Sequence, residues 1–385
     1  MMNITSIKKE RCCGCTACVF SCNKDAIVMK EDSQGFLYPV VNEALCNHCG
    51  ICINVCTKKT NNHINTPIKV YAAKSKDEKI LEKASSGGIA AELSRYIVSN
   101  GGVVYGVVYD DLYNVITTRI DNLEACERLF GSKYVQTDLK NVIEQVILDL
   151  REGKTVLYFG TSCHVSGLVE VLRQKKISTE RLITVDFICH GVPSPRLFKE
   201  YISYLKKDTD FLGFSFRTKL RKWGNGSSLF GTSVFYINGK VETNTLRSNA
   251  FLRIFFSNNC LRPVCYGCEH VGRNKVGDFT LADYWGLREA HPDFFDERGV
   301  SAVFVNSDKA MVLFKTLDSI NYIESSIEKV VKKQGNMQAA STKGVHYNDF
   351  WNDYYERGFS FVLKKYGDIG GWSKIKQIIK KMLDL

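Results

Sequence analysis

The sequence predicts a mixed α+β / α/β chain. A small cysteine-rich repeat of (βαβ)2 type comes first, then a layered α/β domain, then a helical C-terminal tail. Three observations lead there. Eight of the 15 cysteines fall in the first 56 residues in two identical spacings, each cysteine of the second set 34 residues after its counterpart, which marks an internal repeat. From Val70 onward helical and strand-like segments alternate, the pattern of stacked layers. From Ser307 the chain turns more helical, ending in Trp372–Leu385 with Trp372, Ile375, Ile378, Ile379 and Met382 on one face.

The elements follow in order. Cys12, Cys15, Cys18 and Cys22 stand at x2, x2 and x3 spacing, and Cys46, Cys49, Cys52 and Cys56 repeat it. Between the sets, Ala26–Met29 and Leu37–Val41 read as short strands about a turn at Gly35. Thr57–Lys69 is polar, holds a proline and lacks apolar periodicity, so it reads as a linker that few core contacts should cross. Ser85–Gly88 opens a helix to about Val98, and Gly101-Gly102 precedes the strand Val103–Tyr109. Asn141–Leu150 places Ile143, Val146, Ile147 and Leu150 on one helical face. Val156–Phe159 is a buried-strand pattern, Gly160–Gly167 turns into a helix, and Leu182–Ile188 is a strand ending at Cys189-His190-Gly191. The expected division is 1–60, 70–150, 151–320 and a basic helical tail over 321–385.

Composition excludes several classes. A chain of 385 residues with 44% hydrophobic and 24% charged residues has enough apolar surface to fold. No run approaches the ~18 apolar residues of a spanning helix, and MMNITSIKKERCC has no signal-peptide core; a soluble, cytoplasmic protein is expected. An odd cysteine count without such a signal points to metal rather than disulfides. The formal charge of +11 counts every thiol as neutral. Four-iron clusters at about −2 each would leave a modestly basic residual. That residual suits an acidic redox partner and requires no nucleic acid, for which no recognition motif is present. The basic tail helix is expected to dock on its own domain, with peripheral membrane contact as the second reading.

Three cysteines at x2 spacing wrap one cubic 4Fe-4S cluster, while the fourth points away to the other cluster of the pair. The expected ligand sets are Cys12, Cys15, Cys18 and Cys56, and Cys46, Cys49, Cys52 and Cys22. Residues 1–60 thus resemble bacterial two-cluster ferredoxins, except that Asn23 and Thr57 stand where proline usually follows. Cys13 and His48 sit inside the motifs with no assigned role.

A second resemblance rests on SSGGIA at Ser85–Ala90, GGVVYGVVYDD, GSKYVQTD, GTSCHVSGL, DFICHGVPSP, SFRTK with Trp223, and RPVCYGCEHVGRNKVGDFTLADYWGL. In this order they resemble the beta subunits of coenzyme F420 hydrogenases and dehydrogenases over about residues 70–310. The resemblance implies a deazaflavin-linked flavoprotein with iron–sulfur centres; some relatives are associated with surface-polysaccharide synthesis.

The Ser85-Ser86-Gly87-Gly88 turn offers N–H groups at a helix start, as a pyrophosphate needs, though such residues also cap ordinary helices. The resemblance tips it, with Ser132, Lys133 and Tyr134, toward an FAD site; alone, Lys133 would be a solvated lysine and Tyr134 a core tyrosine. Likewise Cys163 and Cys189 each follow an apolar strand, so both can reach one sheet edge, and Cys265-x2-Cys268 is a metal-knuckle spacing. A third 4Fe-4S cluster is the favoured reading, ahead of zinc, a Cys–His catalytic pair or inert thiols. Cys260 is an alternative to Cys265, and Cys126 reads as structural. Asp278 and Asp283, beside Trp285, are structural caps or flavin contacts in equal measure.

The expected function is an oxidoreductase coupling hydride transfer at a flavin to one-electron transfer through clusters, its donor a reduced deazaflavin or another hydride-donating coenzyme. Its partner is a redox protein or second enzyme subunit. The alternative is a flavin-free electron-transfer adaptor serving polysaccharide synthesis.

Overall fold

A computed structural model describes residues 3–57, 65–207, 210–219 and 231–370. Residues 58–64 of the expected linker, Trp223 and the expected tail helix lie outside these.

The N-terminal repeat folds as α1 (Ala17–Phe20), β1 (Ile27–Glu31), β2 (Leu37–Val41) and α2 (Ile51–Asn54). β1 and β2 form an antiparallel hairpin with Ile27 opposite Val41, and Ile27, Ile53, Cys18 and Cys52 share a small core. The expected (βαβ)2 pattern is reduced to this single hairpin among the described residues. At the N-terminal side Ile4–Ser6 is a 3-10 turn, capped by Asn3, whose side-chain oxygen accepts from the Thr5 N–H and hydroxyl.

The rest begins with β3 (Lys69–Ser75), α3 (Glu78–Lys83), α4 (Ile89–Ser99), β4 (Val103–Tyr109), β5 (Val115–Ile120), α5 (Val142–Arg151), β6 (Val156–Phe159), α6 (Ser162–Gln174) and β7 (Leu182–Phe187). Then come α7 (Pro195–Leu205), β8 (Phe211–Ser215), β9 (Ser233–Tyr236), β10 (Val241–Thr243), α8 (Ala250–Phe256), β11 (Phe279–Asp283), α9 (Leu287–Ala290) and β12 (Ser301–Val305). The last are α10 (Asp308–Lys315), β13 (Ile320–Ser325), α11 (Ile327–Val331), α12 (Gly335–Gln338), α13 (Tyr347–Arg357) and α14 (Phe359–Tyr366).

An eight-stranded sheet runs β13-β3-β12-β11-β7-β6-β4-β5. Its centre, β4, β6, β7 and β11, is parallel, and the flanking pairs are antiparallel. Parallel strands need cover on both faces. α4 and α10 cover one face, through Ile89, Leu93 and Phe314. α5 and α6 cover the other, through Val146, Val165 and Leu168. β3 pairs with both β12 and β13, so one sheet spans the expected boundary at 150 and runs past the one at 320, and residues 321–325 are strand rather than helix. A three-stranded meander, β10-β9-β8, packs with α7, α8, α13 and α14 on an aromatic core around Phe198, Phe251 and Phe350.

The N-terminal repeat is not loosely tethered. Ala17 and Val55 enter the core beneath α5 and α6, Arg196 on α7 donates to Glu31 Oε1 at 2.6 Å and to the Ser33 carbonyl at 2.9 Å, and Gln34 reaches Tyr347 at 3.1 Å. The expectation that few contacts cross residues 57–69 is therefore corrected: the linker's ends are joined by packed surfaces. Among the described residues no helix is long and apolar enough to cross a membrane.

Candidate functional site

Each N-terminal cysteine loop repeats a backbone conformation as well as a spacing. Gly14 and Thr16 in the first loop have φ of 73° and 61°, and His48 and Gly50 in the second have 54° and 75°. Alternating left-handed residues turn successive N–H groups inward, forming a concavity that suits an anionic iron–sulfur cluster. Burial pushes the Cys18 thiol well up, reinforced by Cys12, Cys56 and Cys52 around it, so thiols of both sets gather near Cys18. The second loop is open, with Cys49 exposed.

Two strand ends deliver the next pair of cysteines. β6 ends at Phe159 and α6 starts two residues beyond Gly160, placing Cys163 in its first turn; β7 ends at Phe187, two residues before Cys189. A bridge between Pro193 and Leu261 brings over the 3-10 segment Pro263–Gly267, which carries Cys265 and leads into Cys268. All four thiols line one cavity of about 50 Å³, together with Cys13, more room than a single water needs. Burial pushes Cys189 up to about 11 and Cys265 up to about 12. Cys163 rises well above the ordinary thiol range, chiefly through its contact with Cys13 and then burial. The donor set is soft sulfur, the lining contains no carboxylate, and the buried cations Arg262 and Lys275 face it. That chemistry fits an anionic thiolate-bound cluster.

Cys13 is the residue that sequence reasoning left unused. Its side chain contacts both Cys15 and Cys163, so it stands between the first N-terminal loop and the third cysteine set. His164 bonds the Cys13 backbone, and burial lowers its imidazole from the usual range. Cys260 does not line the cavity; it is buried in the aromatic core, its thiol facing the Ile254 carbonyl at 3.6 Å. Cys126 is likewise a core residue.

The expected flavin residues also meet, on different terms. Ser85 Oγ accepts from the Ser132 N–H at 2.7 Å and lies 2.9 Å from its hydroxyl. Ser86 Oγ donates to the Val300 carbonyl and the Gly87 N–H to Ser301 Oγ, both at 3.0 Å. Gly87 is wedged between β3 and β12, where a Cβ would lie 2.3 Å from the Ala73 carbonyl oxygen, and Gly88 takes φ of 82° to start α4. Tyr134 packs on Phe255 at 5.7 Å and on Phe216 at 5.5 Å, so it shares in the aromatic core.

Lys133 donates to the Arg128 and Phe130 carbonyls at 3.0 and 2.8 Å, and burial, with Arg128, lowers it to about 7. From the SFRTK segment, Lys219 donates to the Leu81 and Ser86 carbonyls and is lowered to about 7 by burial and Arg217. Arg217 pairs with Asp283 at 2.7 Å. Asp278, by contrast, accepts from Thr184 and Ser307 and is structural. A separate cleft of about 810 Å³ lies between the β1–β2 hairpin, the 135–140 segment and α7.

Residues 70–144 match the N-terminal part, and residues 153–330 the C-terminal part, of the coenzyme F420 hydrogenase/dehydrogenase beta subunit. Residues 11–60 match a 4Fe-4S dicluster domain. A chain of the F420-reducing nickel–iron hydrogenase complex from Methanosarcina barkeri is similar at 16% identity and a TM-score of 0.47, over 72% of this chain and 89% of that one. The cysteine repeat, the single mixed sheet and the motifs at its strand ends thus place this chain in the coenzyme F420 hydrogenase/dehydrogenase beta subunit family, with a 4Fe-4S dicluster domain at its N-terminus.

Proposed function

We propose that the chain is an iron–sulfur flavoprotein oxidoreductase that links a two-electron hydride step to one-electron transfer through three 4Fe-4S clusters. The observation that carries this reading is the Cys13 bridge. It puts the cavity of Cys163, Cys189, Cys265 and Cys268 in contact with the Cys15 loop, so no wide gap separates the family domain from the dicluster domain. A flavin bound at the sheet edge would accept a hydride and release its electrons singly.

The chain's own residues supply binding and orientation. Lys133 donates to the Arg128 and Phe130 carbonyls and lies over the Tyr109 ring, and Lys219 donates to the Leu81 and Ser86 carbonyls; an anionic phosphate near these desolvated amines would stabilise their charge. The exposed side of the second loop, at Cys49, is the proposed exit to a redox partner protein or second subunit, and a reduced deazaflavin or other hydride-donating coenzyme is the proposed donor.

One observation favours the flavin-free adaptor. The Ser86 hydroxyl and the Gly87 N–H are already bonded within the protein, leaving fewer donors for a phosphate than the bare sequence promised.

Iron, sulfide and flavin assays on anaerobically purified protein separate the two. The expected content is about twelve irons and one flavin per chain. Cys268→Ala should lose about four irons while the dicluster spectra persist. Full iron in that variant would overturn the third cluster, and a wild-type chain without flavin would establish the adaptor.

A further inference from the structure

The two halves of the N-terminal repeat face opposite charges. Arg262, fully buried, donates through Nε to the Cys12 carbonyl at 2.7 Å and through Nη1 to Gln136 at 2.8 Å. Its Nη2 donates to the Leu37 carbonyl at 2.9 Å and reaches Cys12 Sγ at 3.6 Å. The guanidinium lies 4.2 Å over the Tyr38 ring. Among the described residues no carboxylate is bonded to it.

A buried cation without a carboxylate is costly unless another anion compensates it; the sulfur of Cys12 lies 3.6 Å from its Nη2, and Cys265 is a further thiol within its field. The second loop differs. Cys46 Sγ has the Glu43 carboxylate and the His48 ring, each within 4.8 Å, and Asn3 donates to both Glu43 and Cys46.

We propose that Arg262 and Glu43 set a redox order inside the dicluster domain. The cluster on Cys12, Cys15, Cys18 and Cys56 has the higher potential and stores the electron. The cluster on Cys46, Cys49, Cys52 and Cys22 has the lower potential and faces solvent.

Reduction adds one negative charge to a cluster. A permanently charged guanidinium against a ligand sulfur favours the reduced form, and a neighbouring carboxylate disfavours it. Solvent exposure acts the other way, since water also stabilises added charge and the second loop is the exposed one. Arg262 prevails because its field acts in a buried, weakly screening medium, whereas that of the half-exposed Glu43 pair is screened. Arrival of the stored electron through Cys13 rests on the proposed function; the order itself needs only the two N-terminal clusters and Arg262.

The test is a stepwise reduction of the reconstituted full-length chain followed by electron paramagnetic resonance. It is run at pH 8. Cys49→Ser marks the second cluster by altering its spectrum alone. In wild type, the signal that appears first should be the unmarked one. In Arg262→Gln, the oxidised-to-reduced ratio of the first cluster at fixed potential should rise at least about tenfold, equivalent to 59 mV for one electron. Arg262→Lys, which keeps the charge but not the fork, should preserve the order.

The proposal is overturned if the marked cluster reduces first in wild type. It is also overturned if Arg262→Gln with full iron leaves the ratio unchanged, or if Arg262→Lys loses the order. The wild-type sequence of signals decides even where a variant fails to fold. Iron and flavin content of the same samples report separately on the functional reading, so the two can fail independently.

Discussion

Lys133 and Lys219 each spend their ammonium protons on backbone carbonyls, and each is lowered to about 7 from an ordinary 10.5. Between those values the unfolded chain binds more protons than the folded one, so each lysine makes stability rise as pH rises from about 7. The raised thiols of Cys163 and Cys189 act oppositely above about pH 8.5, where unfolded thiols ionise first. In ligand-free protein between pH 7 and 8, Lys219→Met should therefore flatten the rise of melting temperature with pH. Added pyrophosphate should flatten it in wild type and do less in the variant. An identical pH slope in both proteins would refute the anion role. Gly87 is unsuitable for such a test, because any side chain there collides with β3 whether or not phosphate binds. The dicluster repeat over residues 11–60 was legible because cluster chemistry imposes local spacing. Arg262 and Lys219 were not, since Arg262 meets Cys12 from 250 residues away and no local pattern encodes that.

Helix α6 carries the contact between the two cysteine systems. Cys163 lies in its first turn, and one turn on, Gly167 gives passage to the first loop: a Cβ there would sit 2.6 Å from Cys15 Cβ and 2.9 Å from its sulfur. Gly167→Val should cost about 1–3 kcal/mol by overpacking, seen as a lower melting temperature. It should also broaden the first cluster's resonance while sparing the second. Unchanged spectra would mean that the helix and the loop move apart freely. β2, β4 and β6 were legible to the residue, being apolar runs bounded by turn or glycine signals. β13 was hidden because an antiparallel edge strand shows apolar residues on one face only: Ile320 is buried and Asn321 and Tyr322 are exposed along it. β3 was hidden by its small residues Ala72 and Ala73, which the sheet packs tightly.

At the scale of the whole molecule, the dicluster domain is built into the sheet domain's core. Deleting residues 1–57 would uncover the α5–α6 surface that Ala17 and Val55 cover. It would also strip Arg262 of its Cys12 and Leu37 acceptors, leaving a cation whose remaining burial is uncompensated. The truncated chain should melt well below the full protein or aggregate, as calorimetry and size-exclusion chromatography can establish. A truncated form of native stability would show that the two parts fold independently. Layering was legible because strand–helix alternation forces covered faces. The docking was not, because the polar sequence of a linker says nothing about what its two ends touch.

The paired left-handed positions carry a consequence for how the two loops can change over time. They descend from one duplicated ancestor in the sense that each position has a twin, yet the twins live under different rules. At Gly14 a Cβ would lie 2.9 Å from Gln136 and 3.0 Å from Arg262, so a larger residue would have to displace these two side chains. Its twin, His48, is partly open to solvent, and at Gly50 a Cβ would meet nothing within 4 Å. The outer loop thus has room for other side chains, whereas the inner loop is held against the domain it packs on.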